Sequence, residues 1–142
     1  MVADPHHLPR WWPRVERVEA VEPDAFTEVM STRKGRLVRA DFDLVLRDEE
    51  RHVLRWAQRV EGTPFATLLR SAQTEVRLTP AAPAAGTDVE IELSQEMHGL
   101  LGRRSPGRRG RAVFPGFGSL MMRRAAAATI EEALNGLARI SG

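Results

Sequence analysis

The sequence predicts an α+β domain, a curved antiparallel β-sheet wrapped around one long C-terminal helix. Two patterns carry that expectation. Across residues 14–97, short segments of alternating apolar and polar side chains follow one another over tight turns. After them, residues 119–140 hold the only long helical periodicity in the chain. Strands that succeed each other over mostly short connections form a meander, not βαβ units.

At 142 residues the chain is expected to be one domain, 1–142, large enough to bury a proper core. Its 42% hydrophobic and 28% charged content is that of an ordinary globular protein. No run of eighteen apolar residues and no charged-then-apolar N-terminus is present, so neither a membrane span nor a signal peptide is expected. The absence of cysteine excludes disulfides, thiolate metal sites and cysteine nucleophiles, and fits a cytoplasmic location. The pI of about 10.3 overstates the basicity. Net charge is only +2, and the high pI arises because nearly every basic residue is arginine. Such a charge gives little general attraction to nucleic acid, and no specific nucleic-acid partner is expected.

Taken in order, Asp4-Pro5 opens a brief helical turn, and Pro9 and Pro13 flank the pair Trp11-Trp12. Neighbours on a short helix diverge by about 100°, so one tryptophan can be buried while the other sits at a rim. His6 and His7 beside Asp4 invite a metal reading. Adjacent histidines rarely hold one ion together and no further ligand cluster is evident, so neither a metal nor a cofactor is expected.

Strands are expected at 15–21, 26–32, 36–46, 52–60, 71–79 and 87–97. Alternation assigns their faces. Val38, Ala40, Phe42, Leu44 and Leu46 point inward on the third, opposite Arg39, Asp41, Asp43 and Arg47. Leu54, Trp56, Gln58 and Val60 do so on the fourth, and Ala72, Thr74, Val76 and Leu78 on the fifth. On the sixth they are Val89, Ile91, Leu93, Gln95 and Met97. The outward residues carry opposite charges on adjacent strands, a solvated cross-strand ladder.

The inward face holds the informative residues. Gln58, Thr74 and Gln95 sit among aliphatic and aromatic neighbours, and buried amides need partners. Either they bond each other or ordered water, or they line a ligand cavity. On the second strand Glu28 shares a face with Phe26 and Met30, and is the carboxylate placed to point inward. Pro64 fixes the backbone ahead of Phe65, which can be thrown toward the interior or the mouth. The run containing Arg103, Arg104, Arg108, Arg109 and Arg111 reads as a solvated loop, or as a docking site for an anionic group before the helix.

On the helix, Ser119 is the expected N-cap. Leu120, Ala126, Ala127, Ile130, Ala133, Leu134, Leu137, Ala138 and Ile140 share one face. That face is thin where Ala125, Ala126, Ala127 and Ala128 run together, which hints at a cavity under the sheet. Arg123 falls within the apolar arc, where it either snorkels to solvent or points into the cavity.

Several motifs, in this order, resemble the START-like superfamily, in particular the bacterial SRPBCC proteins labelled polyketide cyclase/dehydrase or lipid transport. They are Trp11-Trp12-Pro13, the turn at 32–35 before Val38, Trp56-Ala57-Gln58 with Gly62-Thr63-Pro64-Phe65, and Gly86-Thr87-Asp88-Val89 followed by 92–95. The resemblance covers nearly the whole chain and implies the helix-grip arrangement with a hydrophobic cavity between sheet and helix. Relatives carry a first strand and a first helix ahead of the segment matching residues 4–12. Either the start is truncated or mis-called, or the fold lacks that edge strand, in which case the sixth strand has an unpaired edge suited to homodimer pairing.

The function expected first is binding of a hydrophobic small molecule, a lipid, polyketide or similar. Trp12, Phe26, Met30, Phe42, Trp56 and Phe65 would form walls with Met97, Leu120 and Ala127. Gln58, Thr74, Gln95 and Arg123 would supply polar contacts. The alternative is a polyketide aromatase/cyclase-type enzyme, for which Arg123 and Glu28 are weak catalytic candidates beside His52 and His98. A third class is a surface interaction module acting through the arginine-rich loop 103–111.

Overall fold

The computed structural model describes residues 2–81, 86–98 and 117–141, with side chains for 2–80, 86–98 and 126–140. A 3-10 turn, Pro5–His7, runs directly into a short helix α1, Leu8–Trp11. Asp4 starts it, its carboxylate accepting the His6 N–H at 3.0 Å. Six strands follow: β1 Val15–Glu22, β2 Ala25–Ser31, β3 Leu37–Asp48, β4 Val53–Gln58, β5 Leu69–Ala81 and β6 Gly86–Met97. A second 3-10 turn, Pro64–Thr67, links β4 to β5, and the helix α2 spans Phe117–Ser141.

The strands pair antiparallel in sequence order, so β1 and β6 form the two edges. α2 begins before Ser119, which therefore lies inside the helix and not at its N-cap. Phe117 and Gly118 tolerate helical backbone, and helix starts commonly shift by a residue or two for that reason.

Alternation places the inner face correctly up to Leu44 and then fails. Leu44 pairs with Trp56, but the next pair is Leu46 with Arg55, so Val45 is an extra residue on β3. The bulge moves Leu46 to the charged outer face and Arg47 to the face of Leu54. Nothing in the run Leu44-Val45-Leu46 marks it, because three apolar residues fit either register.

On the outer face the charges pair across strands. Arg55 Nε donates to Glu75 at 2.9 Å, and Arg59 Nε to Asp43 at 2.7 Å. These hydrogen bonds hold the Glu75 and Asp43 carboxyls below the usual range, despite partial burial. The arginines face water, where such pairs contribute little to stability.

The main core joins three layers. Phe26, Trp56, Val76 and Ile91 come from the sheet, Leu8 and Trp11 from α1, and Ala133 and Leu137 from α2. The buried arc of α2 runs through Ala133, Gly136 and Leu137, with Ile130 and Ile140 half-buried. Ala127 and Ala138, expected on this face, are exposed at its margin. The reason is Gly136, which packs directly on the backbone of Trp11. A Cβ there would lie 2.4 Å from the Trp11 carbonyl oxygen and 2.8 Å from its Cα.

Gly136→Ala therefore tests the docking of α1 on α2. Alanine favours an isolated helix by about 0.5–1 kcal/mol, yet here the variant is expected to unfold about 1–3 kcal/mol more easily. Urea denaturation monitored by circular dichroism measures it. A stabilised variant would show that the two backbones are not in close contact.

Candidate functional site

A small cavity of about 30 Å³ lies between the inner face of the sheet and α1. Each strand from β2 to β5 supplies part of its wall: Phe26 and Glu28, then Phe42, Trp56 and Thr74. Leu8 and Trp11 of α1, with Trp12 just after it, form its roof. Strand pairing brings these side chains together, with Phe26 opposite Phe42 and Trp56 opposite Thr74. Glu28 stands opposite Ala40, whose single methyl leaves space beside the carboxyl.

The rings are ordered against one another. Phe26 stacks on Phe42 with centroids 5.3 Å apart and meets Trp56 edge-to-face at 6.3 Å. Trp11 and Trp12 meet at 5.5 Å and 89°, with Trp11 in the core and Trp12 half-buried at the rim. Both are committed to the cavity wall.

Glu28 is 5% exposed, with no hydrogen bond or ion pair among the described residues. Burial alone pushes its carboxyl up to about 8. The Trp11 Nε1 and Gln58 Nε2 donors are also buried without partners. Most buried polar atoms are satisfied, so three unmatched groups around one aromatic floor need an explanation. The Gln58 amide nitrogen does not take up the internal pairing open to it.

The remaining expected residues are distributed as follows. Met30 is half-buried on the core side, two positions from Glu28. Phe65 and Met97 pack with Val60, Leu69 and Ala72 in a second cluster, and Gln95 lies opposite Ala72. Ala127 is exposed. Leu120, Arg123 and the arginine run 103–111 lie outside the described side chains. His52 is exposed in the turn before β4 with φ 54°, and His98 is exposed after β6. Leu8 and Trp11 were not among the expected ligand residues, although their i,i+3 spacing places both on one face of α1.

Among the described residues, no three His, Cys, Asp or Glu side chains converge as metal ligands. His6 and His7 both contact Asp4, at 2.9 and 3.6 Å. No helix among the described residues is long and apolar enough to cross a membrane.

The Glu28 environment gives a stability prediction with a definite sign. Its folded pKa lies above the unfolded value of 4.5, so between that value and about 8 the folded state binds more protons. Stability contributed at this site is present at low pH and is lost as pH rises through that window. Glu28→Gln should remove the decline, and the difference between the two proteins should grow by on the order of a few kcal/mol from pH 5 to pH 8.5. Parallel denaturation curves at both pH values would contradict it.

The whole chain, residues 1–142, matches the family described as polyketide cyclase / dehydrase and lipid transport. Among solved structures the chain is similar to major latex-like protein 151 of Panax ginseng, with 19% identity and a TM-score of 0.49. The similarity covers 89% of this chain and 79% of that one. Comparison with curated proteins finds no match. The six-stranded antiparallel sheet and its C-terminal helix are a helix-grip fold, and the chain belongs to the polyketide cyclase/dehydrase and lipid-transport family, of SRPBCC type.

Proposed function

We propose that the chain binds a hydrophobic small molecule against the aromatic floor of the sheet, under the roof formed by α1. The family supports an apolar ligand in general terms. The observation that carries the reading is the wall itself, five aromatic side chains around one buried carboxyl that has no partner among the described residues. A core selected for stability alone would replace Glu28 by an apolar residue, because burying an unpaired carboxyl costs folding energy. A ligand site explains its place, since such pockets are mostly apolar with a few convergent polar groups.

The cavity holds only one or two molecules the size of water. A longer ligand would therefore place one end beside Glu28 and its body toward the rim, where Trp12 is half-buried. A second reading rests on Glu28 alone. A carboxyl raised to about 8 is suited to proton transfer near neutrality, as a cyclase requires. No second titratable group is present in the described cavity wall to act with it.

Native mass spectrometry of the purified protein, followed by extraction of the bound fraction, tests the binding reading. A reproducible apolar adduct is expected, and Trp12→Ala should weaken its retention by roughly tenfold with little change in Tm. A clean unliganded mass, together with no displacement of an apolar dye, would remove the reading.

A further inference from the structure

We propose that this cavity selects a primary alkylammonium head, so that the ligand is an apolar amine and not a neutral lipid or an acid. The inference rests on the ligand-binding reading above and adds the charge of the ligand's buried end. Glu28 is the only charged side chain in the described wall of the cavity. Every element packed around it supplies neutral neighbours. Val18 of β1 and Ala40 of β3 are its strand partners, and α1 contributes Leu8 and Trp11, with Trp12 just after it. Trp56 of β4 and Thr74 of β5 complete the wall. None of these titrates, so no counter-ion for Glu28 comes from the described residues.

The carboxyl decides which charge completes the site. Once ionised, Glu28 repels a carboxylate or phosphate head and attracts a cation. The rest of the described wall is aromatic, aliphatic or hydroxyl, so no other charged side chain there opposes that preference. An ammonium head meets the carboxylate favourably, with Thr74 as a further acceptor on the same wall. Size narrows the class. About 30 Å³ accepts an –NH3+ group and its first methylene, but not a trimethylammonium.

The test compares octylamine with octan-1-ol, two ligands of one length that differ in the charge of the head. All three tryptophans of the chain line the cavity, so intrinsic fluorescence reports occupancy directly. The amine stays charged to about pH 10, so any pH effect below that belongs to the protein. Octylamine affinity is expected to rise with pH up to about 8, where Glu28 ionises, by as much as about tenfold per unit, and then to level off. Octanol affinity should be flat. At pH 9 the amine should bind at least ~10-fold more tightly than the alcohol. Glu28→Gln should abolish both the rise and the preference. The wild-type pH profile needs no variant, so a misfolded substitution would not leave the question open.

Equal binding of both ligands would keep the apolar site and overturn its selectivity for amines. Tighter alcohol binding at low pH, lost in Glu28→Gln, would also overturn it and make Glu28 a protonated hydrogen-bond donor. Absence of binding by either ligand would overturn the inference together with the ligand-binding reading beneath it.

Discussion

The contact between Gly136 and the backbone of Trp11 is the constraint on which the candidate site depends. α1 has only four residues, far too few to persist as an isolated helix. Its geometry is imposed by its neighbours. Asp4 and Pro5 begin the turn, and α2 receives it where a missing side chain lets two backbones meet. Once the Trp11 backbone is held there, its indole enters the core and Trp12 turns to the rim. In the described part of the protein, α2 does not itself line the cavity. It holds the roof in place, with Ala133 and Leu137 packed on either side of the glycine.

β2 shows how selective the absence of a partner for Glu28 is. Phe26, Thr27, Glu28 and Val29 are all buried, so the strand is covered on both faces. Thr27, on the outer face, donates its hydroxyl to Asp41 at 2.6 Å from the directly opposed position on β3. Glu28, the next residue, faces Ala40 in the same pairing. A polar residue at position 40 could have met the carboxyl as Asp41 meets Thr27. The alanine leaves both the space and the unmet group, and these two features define the cavity together.

Much of this was legible in the sequence because strands with one buried face announce themselves by alternation. Val38, Ala40 and Phe42, and Thr74, Val76 and Leu78, sit where period two places them. Glu28 was assigned inward by the same rule, from Phe26 and Met30 on either side. The rule failed where the information is not local. The β3 bulge is hidden in three consecutive apolar residues, and it reverses Leu46 and Arg47. Phe65 and Met97 share the apolar character of the cavity residues, but they pack with Val60, Leu69 and Ala72 in a separate cluster. On α2 the expected face holds at Ile130, Ala133, Leu134, Leu137 and Ile140, while Ala127 and Ala138 are exposed and Gly136, which the apolar pattern does not include, is buried. A lone glycine inside a helical pattern is a signal in its own right, since it costs about 1 kcal/mol unless a close approach requires it.

The two uses of Glu28 make opposite demands on one proton. A general acid must hold its proton until the reacting atom takes it, and the burial that raises this carboxyl to about 8 suits that role. An ammonium ion placed beside it favours the carboxylate, lowers the pKa and expels the proton to solvent. Near neutral pH, an amine entering the cavity would therefore discharge the group that an acid-catalysed reaction needs. A site of this size, with one carboxyl and no second titratable residue in its described wall, cannot serve both purposes for the same ligand. A carboxyl with no partner among the described residues, and the space for a single small head beside it, favour the cation.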